Sequence, residues 1–182
     1  MKHALVVGGT GMLADVSLWL MDQGYHVSVI ARNSGRMQQL MERADFKEKI
    51  TPIIVDYRSD HELQSKVHTA IEQNGDIELV VVWIHLNAPA ALKIITREIS
   101  THTVDWQLFH VLGSSTDVDK IKREVSVPQG CFYYQIRLGF VLKDEYSRWL
   151  TNKEISSGVI DALKQKDSIR TIGIIEPWEK RP

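Results

Sequence analysis

The fold is decided by the stretch Ala4-Leu5-Val6-Val7-Gly8-Gly9-Thr10-Gly11-Met12-Leu13-Ala14. A short apolar run opens it, three glycines interrupt the run, and an amphipathic segment continues to residue 22. This order predicts a buried strand, a tight turn and the start of a helix. Glycine leaves no Cβ between the backbone and a phosphate, and the N–H groups of a helix N-terminus attract anions. We therefore predict a nucleotide-binding turn, the alternative being that the glycines only build a tight connection.

The turn also supplies the first set of predicted contacts. Its spacing is Gly8-x-x-Gly11-x-x-Ala14, with alanine where a small residue lets the helix pack closely on the strand. The residues that we expect to surround a bound pyrophosphate are Gly8, Gly9, Thr10, Gly11, Met12 and Leu13.

Composition narrows the class of protein. The 182 residues are enough for one sizeable core, and we predict a single domain over residues 1–182. The 22 basic and 23 acidic side chains nearly balance, which argues against a nucleic-acid or membrane partner. Cys131 is the only cysteine, so a disulfide within the chain and a cysteine-based metal site are both excluded. Without a signal-peptide pattern or a long apolar run, we expect a cytoplasmic protein, and a homo-oligomer is allowed.

Strand and helix patterns alternate along the rest of the chain. The predicted strands cover residues 4–7, 25–31, 50–55, 77–84, 106–112, 131–142 and 169–175. The predicted helices cover residues 12–22, 37–44, 61–73, 87–100, 117–124 and 151–164. The run 77–84 is almost unbroken in apolar residues, which is typical of a strand buried on both faces. The alternation predicts an α/β fold, a doubly wound, mostly parallel Rossmann sheet of order 3-2-1-4-5-6-7 with helices on both faces.

Residues at the ends of the predicted strands resemble the short-chain dehydrogenases/reductases. Besides the glycine turn, they are Ala31-Arg32 after the second strand, Asp56 after the third and Ser114-Ser115 after the fifth. The glycine spacing is similar to that of extended and atypical members, including NmrA-like proteins. The resemblance implies that the turn binds the pyrophosphate of a nicotinamide dinucleotide. It also implies that Asp56, with the adjacent Tyr57, contacts the adenine.

The end of the second strand predicts which cofactor is bound. An NAD site places a carboxylate there, about 20 residues after the glycines, to hold the ribose 2′-hydroxyl. This chain has Arg32 at that place, with Asn33 and Arg36 following and no acidic residue nearby. A guanidinium complements a 2′-phosphate, so we predict NADP in preference to NAD. The alternative is that Arg32 and Arg36 are solvated loop charges.

The expected catalytic pair is missing from the sequence. The resemblance would place a Tyr-x-x-x-Lys pair on the helix after the fifth strand, but residues 116–124 contain no tyrosine. The nearest match is Tyr133 with Arg137, inside a β-rich run. A strand would spread that pair about 13 Å apart. We therefore expect Tyr133 and Arg137 to be strand residues and not a displaced catalytic pair.

Three other polar residues are candidates for catalysis. His85 follows the fourth strand and could exchange a proton near neutral pH, or it could be a helix cap or a partly buried histidine. Nearby Asn87 keeps part of the small-residue turn that lies beside the cofactor ribose in the similar family. Ser114 and Ser115 could hydrogen-bond a substrate carbonyl or cap the next helix. No metal site is predicted.

Two functions from different classes fit these observations. The first is an NADP(H)-dependent oxidoreductase of short-chain dehydrogenase/reductase type, with a non-standard or degraded active site and an unknown small-molecule substrate. The second is a non-catalytic NADP(H)-binding redox sensor of the NmrA-like type. We favour the first as a class, with weak or absent reduction of ordinary carbonyl compounds.

Overall fold

The protein is described from a computed structural model, which covers residues 1–85 and 87–182. Its strands are β1 (His3–Val7), β2 (His26–Ala31), β3 (Ile50–Ile54), β4 (Ile77–Val82), β5 (Trp106–Leu112), β6 (Cys131–Leu138), β7 (Phe140–Lys143), β8 (Tyr146–Trp149) and β9 (Ile169–Ile172). Its helices are α1 (Ala14–Asp22), α2 (Ser34–Arg43), α3 (Asp60–Asn74), α4 (Pro89–Ser100), α5 (Val118–Glu124) and α6 (Asn152–Gln165). Within the described ranges, no helix has both the length and the apolar composition required to cross a bilayer.

Seven of the strands form one sheet in the order β3-β2-β1-β4-β5-β6-β9. Every neighbouring pair is parallel. Because β9 is the seventh strand of this sheet, the predicted order 3-2-1-4-5-6-7 is confirmed. From β1 the next strands, β2 and β3, are added towards one edge of the sheet, whereas β4 and the strands after it are added towards the other edge. The strand order therefore reverses between β1 and β4, and open α/β sheets bind ligands at such a point.

Alternate residues of the central strands enter two separate cores. On β1, Ala4 and Val6 pack with residues of α1, α2 and α6, whereas Leu5 and Val7 pack with residues of α3 and α4. This division follows from the two-residue side-chain period of a strand. Four successive residues of β4, 79–82, are buried, which confirms a strand covered on both faces. Helices packed on both faces of the sheet thus fix the positions of the central strands and of the residues that follow them.

The first two helices begin at different residues from those predicted. Helix α1 begins at Ala14 instead of residue 12, because residues 11–13 form turns and the Ala14 N–H bonds the Gly11 carbonyl at 3.0 Å. Helix α2 begins at Ser34 instead of residue 37. The Asn33 side chain accepts a hydrogen bond from the Arg36 N–H at 2.9 Å and starts the helix early.

The predicted strand 131–142 is wrong in its last four residues. Strand β6 ends at Leu138, and the chain leaves the sheet at Gly139 to form an antiparallel hairpin of β7 and β8. The Gly139 N–H bonds the Ile172 carbonyl at 2.8 Å, and a Cβ built on Gly139 would lie 2.2 Å from the Ile174 carbonyl oxygen. The close approach of two backbones therefore requires glycine at the point where the strand breaks.

This contact gives a testable expectation for stability. Gly139→Ala should lower the free energy of unfolding by about 1–3 kcal/mol, because the backbone of the last strand has to move. Urea denaturation measures the change. A matched control is Gly113→Ala, since a Cβ on Gly113 meets nothing closer than the Thr116 hydroxyl at 3.9 Å. Equal free energies of unfolding for the two variants would contradict the close contact between Gly139 and the Ile174 carbonyl.

Candidate functional site

A cleft of about 630 Å³ opens at the carboxyl ends of β1, β2 and β4. It lies where the strand order reverses, which is the usual ligand position in an open parallel sheet. Its lining residues are Gly8, Thr10, Gly11, Met12, Ile30, Ala31, Arg32, Asn33, Arg36, Tyr57, Trp83 and His85. The structure therefore brings together nine of the residues that the sequence singled out, from four separate segments.

The glycine turn forms one wall of the cleft. Gly8 has φ +83°, a conformation that favours glycine, and its N–H donates to the Ile30 carbonyl at 3.1 Å. A Cβ built on Gly11 would have no neighbour within 4 Å, so this residue faces open space. In the described chain, Leu13 occupies the N-cap of α1 and makes no side-chain cap hydrogen bond. The first N–H groups of α1 thus lack a side-chain acceptor and are suited to an anion.

Two residues of the turn are turned towards the core. A Cβ built on Gly9 would lie 2.7 Å from the Ser17 hydroxyl oxygen and 2.8 Å from a Val29 methyl carbon. Leu13 is fully buried. Glycine is needed at position 9 for helix–strand packing, and neither residue belongs to the cleft lining in the described part of the chain. Cofactor contact by Gly9 and Leu13 stays a prediction and involves backbone atoms only.

The turn is also held from the far end of the chain. The Ser156 hydroxyl, on α6, donates to the Met12 carbonyl at 2.7 Å, and Ser156 is only 2% exposed. Helix α6 packs directly against α1, which places this hydroxyl beside the turn. The sequence does not predict this contact, because no local pattern links residues 12 and 156.

The end of β2 forms the second wall and is basic. Arg32 and Arg36 both line the cleft, and among the described residues neither forms an ion pair with a carboxylate. Asn33 lies between them with its side-chain oxygen engaged in capping α2. Two guanidinium groups are therefore free to bind an anionic ligand.

Asp56 and Tyr57 follow β3 and have different surroundings. The Arg58 guanidinium donates to both carboxylate oxygens of Asp56, at 3.0, 3.1 and 2.6 Å. These side-chain hydrogen bonds lower the pKa of Asp56 to about 2, so the carboxylate stays charged near neutral pH. Tyr57 lines the cleft, and its hydroxyl accepts a hydrogen bond from the backbone N–H of His85 at 3.3 Å. In the described ranges only Tyr57 of this pair reaches the cleft.

The third wall follows β4. The Trp83 and His85 rings meet edge to face, with centroids 5.8 Å apart. Trp83 also packs beside the turn, because a Cβ on Gly8 would be 3.4 Å from the Trp83 Cβ. The exposed His85 does not cap α4, whose N-cap position is Ala88. Asn87 is exposed in a turn and does not line the cleft in the described structure, so its cofactor contact stays a prediction.

The two candidate serines are not among the described residues that line this cleft. Ser114 and Ser115 form a turn after β5, and neither lines the cleft in residues 1–85 and 87–182. The helix-capping alternative for them is wrong, because Asp117 caps α5 by accepting from the Lys120 N–H at 3.0 Å. A hydrogen bond from either serine to a substrate stays a prediction.

Tyr133 lies in β6 as expected, within a buried polar network. Its hydroxyl lies 2.8 Å from His110 Nδ1 and accepts from the Gln135 amide at 3.3 Å. The same amide donates to the Val118 carbonyl at 2.8 Å. Burial raises the pKa of Tyr133 to about 12 and lowers the pKa of His110 to about 4. Both side chains are therefore neutral near pH 7, and they hold β5, β6 and α5 together.

Cys131 does not have the properties of a nucleophile. It is the only cysteine in the sequence and is half-buried at the start of β6. Burial raises the pKa of its thiol to about 12, so the thiolate is scarce at neutral pH. Cys131 therefore acts as a packing residue in the described structure.

Comparisons with known proteins identify the fold. No family model matches the sequence, and no curated protein matches it. Among solved structures, a short-chain dehydrogenase/reductase from Brucella melitensis is 11% identical, with TM-score 0.71 over 94% of each chain. One from Serratia marcescens is 16% identical, with TM-score 0.70 over 95% of this chain and 96% of the other. The protein thus has the fold of the short-chain dehydrogenases/reductases.

A third similar structure contains a cofactor analogue. An alcohol dehydrogenase from Thermococcus sibiricus, complexed with 5-hydroxy-NADP, is 14% identical, with TM-score 0.69 over 96% of both chains. The predicted fold class is confirmed by all three structures.

Proposed function

We propose that the protein is an NADP(H)-binding oxidoreductase of short-chain dehydrogenase/reductase type with a non-standard active site. The observation that carries the proposal is one cleft that joins a glycine turn to two guanidinium groups, neither of which forms an ion pair within residues 1–85 and 87–182. The fold is consistent with it, and the Thermococcus structure contains a related dinucleotide. No comparison favours the NmrA-like alternative.

The residues of the cleft fit a 2′-phosphorylated dinucleotide. The open side of the turn at Gly11 leaves space for a pyrophosphate beside uncapped N–H groups. Arg32 and Arg36 would bind the 2′-phosphate, and Tyr57 would lie against the adenine. The chain would bind and orient NADPH and provide proton transfer, and the hydride would come from the bound cofactor.

The proton donor is the non-standard part of this site. The five tyrosines of the sequence include none with lysine four residues later. In the described cleft, the exposed His85 contributes an imidazole, which is a side chain that serves as a general acid in many enzymes. We propose His85 as the donor, with Ser114 or Ser115 as hydrogen-bond donors to the substrate.

The proposal is tested first by binding. Calorimetric titration of the unmodified protein with NADPH and with NADH should give saturable binding of NADPH and weaker binding of NADH. Binding of neither dinucleotide would overturn the proposal, and tighter binding of NADH would overturn the cofactor preference.

Arg32 gives the cofactor preference a direct test. Arg32→Ala should weaken NADPH binding about ten- to a hundredfold, because a charge-assisted hydrogen bond contributes roughly 1.5–3 kcal/mol. NADH binding should change little, since NADH has no 2′-phosphate. A matched control is Arg58→Ala, which removes a neighbouring guanidinium paired with Asp56. Equal losses for NADPH and NADH in Arg32→Ala would assign Arg32 another role.

A further inference from the structure

A second cluster of ligand-type side chains lies between α3 and α4, away from the cleft. His68 Nδ1 is 2.8 Å from Glu98 Oε1, and His102 Nε2 is 3.6 Å from the same oxygen. One ligand atom from each of the three residues lies within 4.8 Å of the other two. None of the three lines the cleft at the strand ends in the described chain.

Helix packing accounts for this convergence. Glu98 lies in the last turn of α4, and His102 follows in the turn after the helix ends at Ser100. The backbone N–H of His102 bonds the Ile99 carbonyl at 3.0 Å, which keeps its side chain beside Glu98. Helix α3 packs along α4 and presents His68 to them, with the two imidazole centroids 5.5 Å apart. The packing of α3 on α4 therefore positions His68 and Glu98, and a backbone hydrogen bond in the turn after α4 positions His102.

The charge of Glu98 is not balanced by a permanent cation. Its side chain is only 10% exposed. In the described residues, no lysine or arginine lies within 4 Å of its carboxylate, and its ion-pair partners are the two histidines. A buried carboxylate requires a compensating charge or complete hydrogen bonding. A divalent cation at Oε1 would provide that charge.

Contacts outside the cluster orient its members as in known metal sites. The Gln64 amide donates to Glu98 Oε2 at 3.3 Å, which leaves Oε1 to face both histidines. On the other side of the His68 ring, Nε2 lies 3.3 Å from Glu72 Oε1. A carboxylate at the second ring nitrogen of a ligating histidine fixes its orientation and raises its basicity.

We propose that His68 Nδ1, Glu98 Oε1 and His102 Nε2 bind a divalent transition-metal ion, with Zn²⁺ the best match to this ligand set. Zinc bonds of about 2.0–2.1 Å in tetrahedral geometry place ligand atoms about 3.3–3.4 Å apart. The distances from Glu98 Oε1 to His68 Nδ1, 2.8 Å, and to His102 Nε2, 3.6 Å, lie on either side of that value. Three protein ligands leave a fourth position for water, beside a groove of about 300 Å³ that His61 and Ser65 also line.

The experiment uses the full chain without a histidine tag, first stripped of metal with a chelator. Calorimetry with ZnCl₂ should give one equivalent of bound zinc. Zinc at about one hundred times its dissociation constant should raise the melting temperature by roughly 5–10 °C. CoCl₂ should produce visible absorption bands of four-coordinate cobalt.

Variants distinguish this site from adventitious binding to surface histidines. His102→Ala removes an exposed ligand and should abolish the one-equivalent binding and the cobalt bands. Glu98→Gln should do the same, with circular dichroism confirming the fold. His61→Ala, in the same groove but outside the ligand set, should retain both signals. Absence of one-equivalent binding, its survival in His102→Ala, or its loss in His61→Ala would each overturn the proposal.

Discussion

Replacing Gly11 by valine is expected to lower the affinity for NADPH by roughly a hundredfold or more, which corresponds to about 2.7 kcal/mol. The proposed pyrophosphate position lies on the open side of the turn, where a Cβ on Gly11 meets no protein atom within 4 Å. A valine side chain would fit the fold and occupy the space proposed for the ligand. Calorimetry measures the affinity, and the melting temperature should stay close to that of the unmodified protein.

Two further variants serve as controls for Gly11→Val. Gly11→Ala adds a single methyl group and should cause a smaller loss of affinity. Gly9→Ala should instead lower the melting temperature, because its Cβ would lie within 3 Å of atoms in Ser17, Val29 and Val6. Retention of full NADPH affinity by a folded Gly11→Val protein would place the dinucleotide elsewhere.

Ordinary ketones and aldehydes are expected to be reduced about 10²–10⁴-fold more slowly than by an enzyme with a positioned acid, which is the usual contribution of general acid catalysis. The reason is that no tyrosine of this sequence is followed by lysine at the fourth position. NADPH oxidation over a broad carbonyl panel measures the rate, with the Serratia marcescens short-chain dehydrogenase/reductase assayed beside it. Any remaining turnover should fall by roughly tenfold or more in His85→Ala.

Tyr133→Phe is the matched control for this chemistry. Its hydroxyl is engaged with His110 and Gln135, so its loss should reduce stability and leave turnover by the folded protein nearly unchanged. Fast turnover that Tyr133→Phe specifically destroys would identify Tyr133 as a displaced acid. Tight NADPH binding without turnover on any substrate would favour the sensor.

The strand order could be predicted from the sequence because its signals are local. The alternating strand and helix patterns and the glycines after β1 each depend on neighbouring residues. The β7–β8 hairpin was missed because its strands have four residues each. Its turn at Asp144, with φ +55°, has no glycine to mark it.

The candidate sites could be predicted only where their residues are marked by a local sequence signal. Arg32 could be found by its distance along the chain from the glycines. The place of Trp83 in the cleft depends on how it packs beside Gly8, which the sequence does not show. The cluster of His68, Glu98 and His102 requires the relative register of two packed helices, which a single sequence does not provide.

The bond from Ser156 to Met12 has a consequence for synthesis of the protein. The two residues are 144 positions apart, which at ordinary translation speed separates them by roughly 7–30 s. During that interval the glycine turn has left the ribosome but lacks the hydroxyl that holds the Met12 carbonyl. A nascent chain therefore completes this part of the cleft only when α6 docks on α1, so the glycine turn reaches its final form after a segment made 144 residues later.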